Sequence, residues 1–363
     1  MSVLINNFRV NAYTIPTDRS EADGTLEWQS TTLVLVEVEG GGKTGLGYTY
    51  ADASVAQLIE RTLREVVKDA DVMQLPRIWE RMVTKVRNNG NSGLAHMGIA
   101  AVDNALWDLK AKILNLSLAE LLGRVRDSFA IYGSGGFTSY SLSQLQEQLG
   151  GWAKQGIRQV KMKIGQHPDQ DLERVRAAKE AIGKDCTLMV DANGAYSAKQ
   201  ALKMAQQFAD WGVAWFEEPV SSDDLAGLRF VRERAPPGMN VAAGEYGFNL
   251  TYFERMLEAG AVDVLQADAT RCGGISGYLK AGTLCEAHHR PFSAHCAPAL
   301  HLHPSLALPA FTVAEYFHDH VRIEEMLFDG VPRPTDGALH PDLSRPGLGL
   351  DFKHKDAKKY KTS

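Results

Sequence analysis

A chain of 363 residues with 44% hydrophobic content has room for one large domain and a smaller one, each around its own core. A formal net charge of -5 gives no general attraction to nucleic acid or to an acidic membrane face, and no run approaches the roughly 18 apolar residues of a membrane span. The four cysteines, Cys186, Cys272, Cys285 and Cys296, form no CxxC pair, and MSVLINNFRV lacks a basic-then-apolar leader, so buried free thiols and a cytoplasmic location are expected.

In chain order, LINNFRVNAYTI and TTLVLVEVEG read as two long β segments, with the polar stretch TDRSEADGTLEWQS between them as a loop. Gly42, Lys43 and Thr44 spell GKT, but Glu37 stands where a phosphate-binding loop needs glycine and GLGYTY reads as a returning strand, so this is a hairpin turn. Three helical patterns follow: VAQLIERTLREVVKDA, LPRIWERMVTKV and GIAAVDNALWDLKAKILN. Residues 1–125 are therefore expected to form an α+β domain.

From Phe129 the texture changes to eight short apolar runs: FAIYG, QVKMKIG, TLMVDANG, VAWFEEP, NVAAGE, VDVLQAD, PFSAH and FTVAEYF. Segments such as SAKQALKMAQQFADWG, with helical apolar spacing, lie between them, which predicts an α/β barrel of parallel strands over residues 126–321. Residues 322–363, rich in Pro and Gly at first, are expected to fold back on the first domain. The closing KHKDAKKYKTS reads as a solvated, lysine-rich terminus.

Polar residues close these runs at intervals of roughly 20 to 28 residues, one strand and one helix apart: Lys163, Asp191, Glu217, Glu245, Asp268 and His295. The strand ends of such a barrel converge, so Asp191, Glu217 and Glu245 would meet. Three carboxylates so placed call for a counter-ion, and hard oxygen ligands without nearby Cys or His favour Mg²⁺ or Mn²⁺ over zinc. Asn193 and Glu218 are adjacent polar groups suited to supporting that site. Lys161 and Lys163 are two apart, hence on one face of a strand and inside the barrel. Each ammonium, and the metal, should lower the other's pKa and free Lys163 to act as a base. Asp268 and His295 end adjacent strands, where a carboxylate fixes the tautomer of an imidazole and raises its basicity. Of the 11 histidines, His301, His303, His318 and His320 remain open as substrate contacts.

These residues, in this order, resemble the mandelate racemase subgroup of the enolase superfamily. The likeness runs over nearly the whole chain, through AAVDNALWDLKAKILNLSLAELLG, the KxK of Lys161 and Lys163, the acidic triad, DATRCGGIS after Asp268 and the SAH of His295. It implies a (β/α)7β barrel closed by a capping domain built from the N-terminus and the C-terminal tail, and a homo-oligomer. It further implies Mg²⁺ on Asp191, Glu217 and Glu245, bases Lys163 and His295 on opposite faces of a small carboxylate substrate, and Asp268 orienting His295. Glu315, in VAEYF, matches a carboxyl group that donates a hydrogen bond to the substrate carboxylate. GEYGFN after Glu245 and HDH after Phe317 depart from the pattern.

The chemistry implied is removal of the proton α to a carboxylate, with the cation stabilising the resulting dianion. Loss of a β-hydroxyl then makes a dehydratase of acid sugars, mono- or dicarboxylate, giving a 2-keto-3-deoxy product, and this is the leading reading. A racemase, an epimerase or a cycloisomerase uses the same residues. A Schiff-base aldolase on Lys163 is opposed by the three-carboxylate cluster, and a silent family member by the intact set of positions. Substrate selection is expected from the capping segment TDRSEADGTLEW, with Arg19, Asp23 and Trp28, and from Tyr48 and Tyr50.

Overall fold

The computed structural model describes residues 2–362; the first and last residues, which end the opening segment and the lysine-rich tail, lie outside the described residues. Among the described residues no helix is long and apolar enough to cross a membrane.

β1 (Ile5–Ala22), β2 (Glu27–Gly40) and β3 (Lys43–Tyr50) form an antiparallel sheet in that order, and the central LVLV run of β2 is buried on both faces. The stretch expected as a loop is mostly strand: it prolongs the β1-β2 hairpin, and only residues 23–26 turn. Asp23 is the cause, because its Oδ1 accepts from the backbone N–H of Thr25 (2.6 Å) and Leu26 (2.7 Å) and closes a tight corner. Pairing slips between Pro16 and Glu21, where β1 carries extra residues, a bulge tolerated because β1 is an edge strand.

Helices cover this sheet: α1 (Ser54–Leu58) and α2 (Arg64–Val67), joined by a π turn over Ile59–Leu63, then α3 (Leu75–Val86), α4 (Leu94–Leu114) and α5 (Leu118–Leu122). Helix α4 lies so close to β3 that a Cβ on Gly47 would fall 2.2 Å from the Ala105 nitrogen.

The eight apolar runs become β4 (Phe129–Gly135), β5 (Gln159–Lys163), β6 (Thr187–Asp191), β7 (Val213–Glu217), β8 (Asn240–Ala243), β9 (Val264–Ala267), β10 (Phe292–Ala294) and β11 (Phe311–Phe317). They pair in parallel in sequence order and close through β11 with β4, an eight-stranded barrel. Burial on both faces explains why these strands read as continuous apolar runs. Between them run α6 (Leu142–Lys154), α7 (Pro168–Ile182), α8 (Ala198–Ala209), α9 (Leu225–Arg232), α10 (Leu250–Glu258), α11 (Gly274–Ala287) and α12 (Pro298–Leu306). Side-chain caps start several of them, such as the reciprocal Ser141–Gln144 box on α6 and Asn249 on α10.

Buried polar groups of α4 join the two parts. Asp103 accepts from Ser276 Oγ (2.7 Å), and Asn104 accepts from the Ile275 N–H (3.0 Å), both at the start of α11. After β11, α13 (His318–Leu327) spans position 322, where the sequence suggested a new segment. The chain then forms β12 (Phe328–Asp329), β13 (Ala338–Leu339) against β4, and β14 (Asp351–Phe352) against β12. It ends beside β1, where Thr362 N–H donates to Ala12 (2.9 Å).

Candidate active site

Tyr132, Met189, Trp215, Ala242, Val264 and Val313 fill the barrel interior as one packed layer. Lys161 and Lys163 project above it from β5, and strand register sets Lys163 beside Asp191 and Asp191 beside Glu217. Glu245 follows β8, and Asp268 and His295 follow β9 and β10, so all six strand-end groups named from the sequence share one mouth.

The triad oxygens of Asp191, Glu217 and Glu245 lie within 4.8 Å of one another, and all three side chains are buried. Six buried carboxylates gather here, counting Glu218, Asp268 and Glu315, against three permanent cations, Lys161, Lys163 and Arg271. Burial pushes Glu217 up to about 8 although Lys161 opposes it, and Glu218 is driven up further by burial and the Glu245 charge. Among the described residues, Glu245 Oε2 and Glu218 Oε1 are buried without a hydrogen-bond partner. Excess negative charge and unanswered oxygens are what a divalent cation would correct, so the donor set fits Mg²⁺.

Lys161 pairs with Glu217 and with Glu315 Oε1 (2.9 Å), and Lys163 Nζ lies 2.5 Å from Asp191 Oδ2. Burial alone would lower Lys163, but the Asp191 carboxylate outweighs it and holds the ammonium above its ordinary value. The lowered value expected from the sequence thus does not follow from the protein's own charges; it needs a cation on Asp191 to cancel that pull. Glu315 is held by the same cations. Despite burial, Lys161 and His295 hold it well below the usual carboxylate range, and it accepts from Ser134 Oγ (2.6 Å) and the Cys296 N–H (2.9 Å). In this state it accepts hydrogen bonds from the protein.

His295 Nδ1 lies 2.9 Å from Asp268 Oδ2, which leaves Nε2 toward Glu245 Oε2 (3.4 Å) and Glu315 Oε2 (3.8 Å). Burial would raise Asp268, yet the His295 hydrogen bond and the charges of His295, His301 and Arg271 hold it far below its ordinary value. Burial likewise lowers His295, but Glu245 and Asp268 outweigh that and raise it. Asp268 therefore stays ionised and fixes the imidazole tautomer.

A cavity of about 400 Å³ opens above these groups, a size suited to a small ligand. The barrel contributes Lys163, Asn193, Glu245, Tyr246, Arg271, His295, Cys296, Glu315, Phe317 and His320, and the capping hairpins supply Asp23, Leu26, Trp28, residues 30–32 and Tyr50–Asp52. Trp28 is fixed by donating to Glu21 Oε2 (2.8 Å) and packing edge-on against Phe137. Two expected contacts lie elsewhere. Arg19 sits in the β1 bulge, which turns it outward to Glu147 and the Tyr140 ring. Tyr48 is fully buried and donates to Glu324 Oε1 (2.6 Å), because it lies two residues deeper than Tyr50 on the same face of β3, edge-on to that ring.

Of the four open histidines, His320 lines the cavity. Both nitrogens of His301 and of His303 are taken by backbone groups, and His318 pairs with Asp18. Sequence reasoning missed Arg271, which bonds the Glu245 carbonyl (3.0 Å) and stands 3.7 Å from Asp268. Its place three residues after Asp268 was the available signal. Left-handed backbone at Asn193, Glu218, Cys296 and Ala297, all just past strand ends, costs about 1–2 kcal/mol each and marks the same rim.

The hairpin tip reaches this rim at Gly24. A Cβ there would meet the carbonyl oxygens of Ala192 (2.3 Å) and Ile164 (2.7 Å), which are backbone and cannot step aside. Gly24→Ala should lift the tip and raise KM about tenfold with magnesium affinity unchanged, a loss of roughly 1.4 kcal/mol. Steady-state kinetics with calorimetric metal titration checks it.

Residues 14–123 match the mandelate racemase/muconate lactonizing enzyme N-terminal domain, and residues 144–357 the enolase C-terminal domain-like family. A mandelate racemase/muconate lactonizing enzyme-like protein from Rubrobacter xylanophilus superposes with a TM-score of 0.97 at 53% identity, covering 99% of this chain and 100% of that one. The 3,6-anhydro-α-L-galactonate cycloisomerase of Streptomyces coelicolor is 32% identical over 96% of this chain and 98% of its own length. The L-talarate/galactarate dehydratase of Salmonella typhimurium, crystallised with Mg and L-lyxarohydroxamate, superposes with a TM-score of 0.91 at 28% identity, covering 100% of this chain and 94% of that one. With both of its domains matched and its barrel closed around a buried acidic triad, the chain belongs to the mandelate racemase/muconate lactonizing enzyme family of the enolase superfamily.

Proposed function

We propose that the protein is a magnesium-dependent lyase that takes the proton α to the carboxylate of an acid sugar and eliminates water to leave a 2-keto-3-deoxy acid. One observation carries the proton-transfer part of this reading: two proton carriers stand at different members of the acidic triad, Lys163 at Asp191 and His295 at Glu245. Asp191, Glu217 and Glu245 would hold the cation, which when bound neutralises charge building on the substrate carboxylate.

The residues divide the work. One of Lys163 and His295 removes the α proton, and the other stands across the cavity. His295, charged after taking a proton and held by Asp268, can return it to a leaving hydroxyl. Lys161 keeps Glu217 and Glu315 in place by charge, and Arg271 does the same for Glu245 and Asp268. Trp28 and the hairpin tip cover the mouth and limit water.

Cycloisomerisation uses the same two carriers and is favoured by one fact, that the cycloisomerase relative aligns over 96% of this chain. A stereochemically complete acid-sugar library, assayed with Mg²⁺ and semicarbazide, tests the choice. A 2-keto product one water lighter than its substrate, read by mass spectrometry, is expected. A product isomeric with its substrate, from a lactone or anhydro acid whose ring oxygen leaves, overturns dehydration in favour of cycloisomerisation.

A further inference from the structure

The cavity is charged very unevenly. Among the described residues that line it, the permanent cations are Lys163 and Arg271, both at the strand ends and both already opposed by carboxylates, Asp191 for one and Glu245 and Asp268 for the other. The wall contributed by the capping hairpins, from Asp23 to Asp52, carries two carboxylates and no lysine or arginine. Arg19, the cation nearest in sequence, is turned away to Glu147. A second carboxylate on the substrate would meet no cation there, only carboxylates, neutral hydroxyls and apolar surface, and a buried charge without an opposite partner is strongly disfavoured.

Neutral donors do face the cavity. The Tyr50 hydroxyl is buried and among the described residues has no hydrogen-bond partner, although the residue lines the cavity. Its ring stacks on His320 with centroids 3.5 Å apart and planes 13° apart. His320 Nδ1 accepts the Ala297 N–H (3.3 Å), so the ring proton lies on Nε2. Burial, against the opposing Asp268 charge, pushes His320 down to about 3, and burial with the Glu324 charge raises Tyr50 well above its ordinary value. Both rings are thus uncharged near neutrality, and a buried donor without an acceptor calls for one on the ligand.

We propose that this site selects acids with a single carboxylate, whose other oxygens are neutral hydroxyl or ether groups, and that Tyr50 and His320 donate hydrogen bonds to those oxygens. The proposal rests on the acid-sugar reading above and narrows it from mono- or dicarboxylates to monocarboxylates. Trp28 and Phe317 complete the wall with apolar surface for the carbon chain.

The test pairs each six-carbon aldonate with the aldarate of the same configuration and follows the α proton by NMR in deuterium oxide with magnesium-loaded protein. Exchange or turnover of an aldonate is expected at a kcat/KM at least about 100-fold above its aldarate. An aldarate processed as well as its aldonate overturns the selection. Absence of exchange and turnover for every acid in the set strikes the acid-sugar reading instead. The selection is then decided by quenching of tryptophan fluorescence with the same pairs, where preference for aldonates supports it and equal or reversed affinity overturns it. Tyr50→Phe removes a hydroxyl that bonds nothing in the protein, so it should melt as the parent does. It should raise KM for the best aldonate about tenfold while leaving the deoxy analogue that lacks the bonded oxygen unaffected. Equal KM effects on both, or none, overturn the role of Tyr50.

Discussion

His295→Asn is expected to lower turnover by a factor on the order of 10²–10⁴, the worth of a positioned general acid or base, while magnesium affinity stays at its original value. Asparagine can keep a donor toward Asp268, so the hydrogen bond at 2.9 Å has a substitute and the fold should hold. What is lost is the nitrogen that faces Glu245 and Glu315 and can carry a proton. Calorimetric titration with Mg²⁺ and steady-state kinetics measure the two quantities separately. Undiminished turnover would remove His295 from the reaction, and metal binding lost together with turnover would make it a ligand instead.

Glu217→Gln should weaken magnesium and activity together. The carboxylate has no idle side: Oε1 takes Lys161, and Oε2 accepts from Trp215 Nε1 (2.9 Å) and Gln266 Nε2 (3.0 Å). Whichever way a glutamine is turned, its NH₂ faces a donor, and one unit of the charge that would hold the cation is gone. A tenfold or greater loss of Mg²⁺ affinity, roughly 1.4 kcal/mol or more, is expected. Activity should recover in part at high Mg²⁺. Activity lost at unchanged metal affinity would contradict the role of Glu217 as a ligand, and circular dichroism melting separates either result from unfolding.

The barrel was legible because each of its strands is a short run buried on both faces and followed by a helix with clear apolar spacing. The strand ends were legible for a related reason. A polar residue at the end of an apolar run is conspicuous, and the two-residue period of a strand put Lys161 and Lys163 on one side. The hairpin was misread because its tip is polar on both faces, whereas pairing between backbones, with Asp23 locking the corner, holds it as strand. Arg19 and Tyr48 were assigned from proximity in sequence, but a bulge turned one out, and the other lies behind Tyr50 on the same face of β3, where it meets Glu324. His320, Tyr246 and Arg271 carried no periodic signal, since they follow strand ends where the backbone changes direction. The charge state of Lys163 could not be read from residue order at all, because it depends on whether Asp191 is answered by a metal.

Removal of a proton α to a carboxylate is measured most directly by loss of that proton in deuterium oxide. With Mg²⁺ and a processed acid sugar, the parent protein should exchange or expel the α proton. His295→Asn and a Lys163→Ala variant should each retain at most one-sided exchange, and the double variant none. Exchange that persists in the double variant, or after removal of the metal with EDTA, would contradict proton removal at this site.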